Sequence, residues 1–156
     1  AKEEKFLMPA LKGDRKIGVL VDAMGRVNYG ECMLDRKGIT DIYIGNQRQM
    51  GYDVYTMPLD NLDKLAYGAK SDSLPLFMKG SFRAASKADC FVHLDGFKKG
   101  YVWVNGFNLG RYWNVGPQRS LYLPGALLKD NNEIIVLEME GYNQPKISIT
   151  DKHNLG

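Results

Sequence analysis

Trp103, Asn105, Asn108, Arg111, Tyr112 and Trp113 crowd into one short stretch, and together they supply what a hexose asks of a protein. An aromatic plate receives the apolar face of a sugar ring, while fixed amides and a guanidinium meet its hydroxyls. The same residue types also serve plain architecture. Trp and Tyr in strands pack cores and domain contacts, and asparagines fill turns. Both readings stand at this level. A second polar group, Arg26, Asn28, Asp35 and Arg36, is expected to order a long loop or contact a neighbouring domain.

Cleaving a bond between sugars asks for other groups. Two carboxyls must flank one acetal, about 5 Å apart for retention of configuration and farther apart for inversion. Glu138 and Glu140, at i and i+2, share one face if their strand continues, and as strand-end residues they are expected to be solvated. Glu3-Glu4 lie in a charged terminus, and Asp60 and Asp63 in a polar turn. No catalytic residue is assigned, and the chain is not expected to be an enzyme by itself. His93 stands in an apolar strand without a serine or cysteine motif to pair with, so a packed, hydrogen-bonded role is expected. His153 lies near the C-terminus. Cys32 and Cys90 show no metal-ligand spacing, and Cys90 reads as a small buried hydrophobe. A bridge between them is the alternative, although two cysteines in a chain of 156 residues make no disulfide scaffold.

The elements that would position these groups are strands. Tyr101–Val104 and Phe107–Trp113 are rich in aromatic and β-branched residues, and Asn105-Gly106 separates them. Both central residues of a type I′ turn need positive φ, which Asn tolerates and Gly adopts freely, so a hairpin is predicted. Further short runs lie at 16–21, 39–44, 53–57, 76–82, 90–94, 120–123, 133–139 and 146–149, punctuated by Gly, Pro, Asn and Asp. Such spacing predicts a sandwich or barrel of antiparallel strands. Helix is scarce, with a turn or two at 59–67 and 126–129. An internal repeat is hinted at, since Leu11-Lys12 with Ile17, Val19 and Leu20 parallels Leu128-Lys129 with Ile134, Val136 and Leu137.

Two runs are apolar on both faces. Ile134 and Val136 oppose Ile135, Leu137 and Met139, and Ile17, Val19 and Val21 oppose Leu20. A strand facing solvent alternates apolar with polar, so the outer faces require cover, from a neighbouring domain or from this chain's own loops. Composition is ordinary: 44% hydrophobic, 25% charged, and a net charge of +3 with no basic block. Nucleic acid is not an expected partner, because a clustered positive stripe is missing. A membrane is not expected either, because no apolar run approaches the roughly 20 residues that span a bilayer.

Several words of the sequence also resemble a known family. Val102-Trp103-Val104-Asn105-Gly106, Leu109-Gly110-Arg111-Tyr112-Trp113, Leu121-Tyr122-Leu123-Pro124 and Asn132-Glu133-Ile134-Ile135-Val136 look like the C-terminal part of the family 35 glycoside hydrolases, the β-galactosidases. Ala23-Met24-Gly25-Arg26-Val27-Asn28-Tyr29-Gly30 and Asp35-Arg36-Lys37-Gly38-Ile39-Thr40 resemble the block that precedes it. Between residues 45 and 73 only the order of elements is shared. The resemblance implies an all-β, galactose-binding-domain-like jelly roll from a bacterial enzyme. Residues 1–156 would form one β-sandwich module, with 1–45 as closing strands of a preceding jelly-roll unit and 46–150 as the main jelly roll. The chain begins at Ala1 without a methionine and reads as part of a longer protein. Its implied partner is the catalytic barrel of the same polypeptide, where the family's acid and nucleophile reside, and galactose-containing carbohydrate is the second candidate. No cofactor is expected. Folds of this type often hold a structural calcium, for which a loop near Asp95 or Asp130-Asn131 is the alternative. The compartment is left open.

Overall fold

Side chains alternate across a strand, so a run that is apolar at every position must be covered on both faces. Asn131–Glu138 is such a run, and it lies inside the larger sheet of the computed structural model, which describes residues 4–10, 12–25, 27–68 and 73–156. The chain divides into two units, Ala1–Thr56 and Met57–Gly156.

In the first unit, regular structure is brief. A 3-10 turn spans Glu31–Leu34, and strands β1 (Tyr43–Ile44) and β2 (Gln47–Arg48) form a short antiparallel ladder. The backbone N–H of Gln49 donates to the Ile42 carbonyl, and Arg48 pairs with Asp41, which extends the ladder's closure. The strands predicted at 16–21 and 53–57 are not present. Ile17, Val19, Leu20 and Val21 are exposed, and a strand holds its conformation only through a ladder partner and a buried face. The N-terminal arm of the hinted repeat therefore lacks the strand found at Ile134–Leu137. Its first residue, Leu11, lies outside the described residues.

The second unit is an antiparallel β-sandwich. One sheet has the order β3 (Leu76–Arg83), β8 (Asn131–Glu138), β5 (Lys99–Val104), β6 (Phe107–Trp113). The other has the order β7 (Ser120–Leu123), β4 (Cys90–Phe97), β9 (Tyr142–Thr150). No α-helix occurs among the described residues; two further 3-10 turns, Leu62–Lys64 and Gly125–Leu127, interrupt the loops. The all-β, antiparallel reading of the sequence holds, and the predicted hairpin is β5–β6. Asn105 and Gly106 both have positive φ, 51° and 83°, as their turn requires.

Alternation sorts the apolar residues into two clusters. Val102 and Val104 of β5, Ile134 and Val136 of β8, Val92 and Leu94 of β4, and Leu121 and Leu123 of β7 meet between the sheets. Trp103, Ile135 and Leu137 point to the opposite face of the larger sheet, where Leu59, Leu62, Tyr67 and Phe77 pack on them. The chain's own segment, 59–67, therefore covers that face. Its residues include none of the β-branched types, and a 3-10 turn presents Leu62 inward while leaving Asp60 and Asp63 at the surface. Lys79 at the rim pairs with Glu133 at 2.6 Å.

Candidate functional site

The β5–β6 hairpin carries all six residues expected to bind sugar, and strand parity divides them. Trp103 is 3% exposed and lies under the 59–67 cover, tilted against Phe77 and Tyr101. Tyr112 is equally buried but faces the interior between the sheets, its ring edge-on to Phe97. Neither ring offers a free face. Asn105 is committed to its turn: its Nδ2 donates to the carbonyl of Leu127 at 2.8 Å and to Asn132 Oδ1 at 2.9 Å, and its Oδ1 accepts from Glu133 N–H at 3.0 Å.

Asn108, Arg111 and Trp113 are closer to solvent. Asn108 accepts from the Gly110 N–H at 2.8 Å, where a bulge between Val102 and Trp103 offsets the ladder. Trp113 is half-buried, with the Lys99 ammonium 5.2 Å and the Arg111 guanidinium 5.5 Å from its ring centre. These are cation–π distances. The structure thus gathers Arg111 and Trp113 on one face and separates them from Tyr112 on the other.

Sequence reasoning placed Glu138 at a solvated strand end. It is instead fully buried and accepts five hydrogen bonds. Oε1 receives the N–H groups of Lys99, Glu140 and Gly141 at 3.2, 2.8 and 3.1 Å. Oε2 receives Lys98 N–H at 2.8 Å and the Tyr112 hydroxyl at 2.9 Å. A buried carboxylate survives only with such partners. Burial, and then the adjacent Glu138 charge, push the Tyr112 hydroxyl far above the usual phenol range. Glu138 closes the turn after β8 and is saturated with donors, while Glu140 is exposed and lies 3.6 Å from Lys99 Nζ. The two do not form an acid–base pair facing one bond. The signal that was available is the polar residue Glu138 at an inward-facing position of an otherwise apolar strand.

Another buried polar side chain, the amide of Asn132, clasps the loop before β8. It accepts from Asn105 and from Lys129 N–H, and its Nδ2 donates to the Lys129 carbonyl at 2.7 Å. At the same end of the sandwich, Asp89 accepts from the Tyr122 hydroxyl at 2.7 Å and from Gly125 N–H at 2.8 Å. The Tyr122 bond, followed by the Gly125 bond, lowers the Asp89 carboxyl below the ordinary aspartate range.

The remaining candidates have structural partners as well. His93 Nε2 lies 2.8 Å from the Lys152 carbonyl and 2.9 Å from Thr150 Oγ1. His153 rests edge-on against Phe91. Both cysteines are free thiols; Cys90 sits 3.7 Å from the Leu123 carbonyl, and burial raises its thiol pKa. Among the described residues, no three of His, Cys, Asp and Glu are grouped so as to hold a metal ion. At the loops considered for calcium, Asp130 pairs with Lys87 at 3.6 Å and Asn131 accepts from Arg83 at 3.2 Å. Asn28, Asp35 and Arg36 are exposed, and Arg26 and Glu3 lie outside the described residues.

Comparison with known proteins follows the same division of the chain. Residues 2–60 match the family profile described as the first all-beta domain of beta-galactosidase, and residues 75–133 match its galactose-binding domain. Beta-galactosidase-1-like protein 2 of Homo sapiens is 38% identical over 99% of the chain and 26% of its own length. The beta-galactosidase of Xanthomonas manihotis is 37% identical over 71% of the chain and 19% of its own length. That of Bos taurus is 34% identical over 83% and 24%. The chain spans about a quarter or less of the curated relatives it matches. It thus has the character of accessory, non-catalytic domains of a β-galactosidase. Relatives from animals and a bacterium together do not single out the bacterial parent expected from the sequence.

Proposed function

We propose that this chain is the C-terminal accessory region of a family 35 β-galactosidase, and that its work is to pack on that enzyme's catalytic barrel and help frame the active-site entrance. The parent would remove terminal β-linked galactose through a retaining double displacement, with acid and nucleophile on the barrel. The observation that carries the reading is the state of the carboxylates. Glu138, at the centre of the β8 terminus, is saturated by five donors, and Glu140 is drawn to Lys99, so neither meets the two-carboxyl geometry of glycoside hydrolysis. Two matched β-galactosidase domain profiles, neither of them the catalytic one, agree with it.

The test has two arms. The purified 156-residue chain is assayed with a nitrophenyl galactoside, and its association with the separately expressed catalytic portion of a homologous enzyme is measured by calorimetry. The expected result is no turnover together with saturable association. Hydrolysis by the chain alone refutes the non-catalytic role, and an absence of association refutes the packing role. Removing the region from the parent is expected to lower stability or shift preference for substrate size while leaving the chemical groups in place.

A further inference from the structure

We infer that Asn105-Gly106, at the tip of the β5–β6 hairpin, is a self-modification site whose reaction the folded hairpin holds in check until the turn opens. The main-chain nitrogen of Gly106 attacks the side-chain amide of Asn105, and the asparagine becomes aspartate or its backbone-lengthened isomer. Asn105 is the only asparagine of the chain that precedes a glycine. Glycine has no Cβ to keep its nitrogen from approaching the preceding side chain. The one co-reactant is water, so neither a ligand nor a catalytic barrel takes part.

The attacking group is free and the group attacked is restrained. Gly106 is exposed, and nothing lies within 4 Å of where a Cβ would stand on it. Among the described residues its N–H donates to no group of the chain. Asn105 is half-buried, and three hydrogen bonds fix the plane of its amide. Nδ2 donates to the Leu127 carbonyl at 2.8 Å and to Asn132 Oδ1 at 2.9 Å, and Oδ1 accepts from Glu133 N–H at 3.0 Å. Asn132 is itself held by both main-chain groups of Lys129. Swinging the amide onto the Gly106 nitrogen therefore means parting from β8, from the loop before it and from the 3-10 turn Gly125–Leu127 together.

The bonds balance without an oxidant or reductant. Gly106 nitrogen gives its proton to solvent and bonds to Asn105 Cγ, the Cγ–Nδ2 bond breaks, and Nδ2 leaves as ammonia with a proton taken from solvent. Water then opens the cyclic imide at either carbonyl, its oxygen bonding to carbon and its proton going to the released nitrogen. The sum is asparagine plus water to a carboxylic acid plus ammonia, and the loss of ammonia makes it one-way. A carboxylate only accepts, so the Leu127 carbonyl and Asn132 Oδ1, which had received Nδ2, then face an anion. Opening at the main-chain carbonyl also adds a backbone atom to a two-residue turn whose length sets the register of β6 on β5. Either product unfastens the hairpin tip from β8.

The test incubates the 156-residue chain in mildly alkaline buffer, folded and in urea, and follows every asparagine by peptide mass spectrometry. In urea, Asn105 is expected to convert ahead of all others. In the folded chain three hydrogen bonds must part first, which slows its conversion on the order of 100-fold. Asn132→Ala removes one of the three and is expected to raise the folded rate about tenfold. Asn105→Asp, the product made directly, is expected to lower the urea midpoint at least as far as Asn105→Gly does. A folded rate within about threefold of the rate in urea overturns the proposal, because the turn then provides no check. So does another asparagine converting first in urea, an unchanged rate in a folded Asn132→Ala chain, or an Asn105→Asp midpoint equal to the parent's. Should Asn132→Ala not fold, the comparison of folded and urea-treated parent chain decides.

Discussion

Replacing Glu138 by glutamine tests the account of the buried carboxylate at its centre. The substitution preserves shape and removes one acceptor oxygen. The retained oxygen fits best at the Oε1 position, where it keeps Lys99, Glu140 and Gly141. The new amide nitrogen then faces Lys98 N–H at what was a 2.8 Å hydrogen bond, donor against donor. Tyr112 escapes this conflict, because its hydroxyl also donates to the Leu137 carbonyl at 3.0 Å and can accept from the amide. One orphaned buried donor costs about 1–3 kcal/mol, and three bonds lose their charge assistance. A neutral amide is easier to bury than a carboxylate, which offsets part of that loss. The net expectation is about 3 kcal/mol of destabilisation. With a urea dependence of about 1–3 kcal/mol per molar, the midpoint falls by about 1–3 M. Trp103 and Trp113 are the only tryptophans and both lie in Met57–Gly156, so fluorescence reports this unit alone. A midpoint shift below about 0.3 M at unchanged slope would refute the reasoning.

Three other outcomes are expected. Trp103→Ala should cost about 3–5 kcal/mol by leaving a cavity under the 59–67 cover, whereas Trp113→Ala should cost about 1 kcal/mol by releasing two cation–π contacts; urea midpoints of the two variants decide this. Asn105→Gly keeps the positive φ of the turn and deletes only the amide that serves Leu127, Asn132 and Glu133, so a loss of about 2–3 kcal/mol by denaturant titration isolates that side chain. Asp89 has a folded-state pKa below the usual 3.8, so its contribution is complete above that value and disappears as pH falls through the lower folded value. Asp89→Asn, followed by stability measurements from neutral pH down to acid, should show a shallower loss below the usual aspartate range than the parent chain.

How much could be read from residues alone depended on whether the deciding contact was local. The β5–β6 hairpin was legible because Asn105-Gly106 fixes its own turn geometry, and Ser120–Leu123 because flanking turn residues bound it on both sides. The double-sided apolar pattern of β8 correctly required a second cover. That the cover is 59–67 was not legible, since Leu59, Leu62 and Tyr67 find Trp103 and Ile135 only through long-range packing. Glu138 was misplaced because its five donors come from the β8 end, the β4–β5 connection and Tyr112, which no local spacing joins. Lys16–Val21 has the composition of a strand but no ladder, and composition cannot supply a partner. Of the six hairpin residues proposed for sugar, the alternation of β5 and β6 already implied opposite faces for Trp113 and Tyr112. Aromatic content alone concealed that parity.

The shield formed by Leu59, Leu62 and Tyr67 bears on how this polypeptide should be cut. The family match for its sandwich starts at residue 75, yet a chain trimmed there would bare Trp103, Ile135 and Leu137 as one oily strip beside the unpaired margin of β3. Such a strip invites self-association. Scissors placed after Thr56 preserve the roof, and the compact unit begins some way upstream of its recognisable signature.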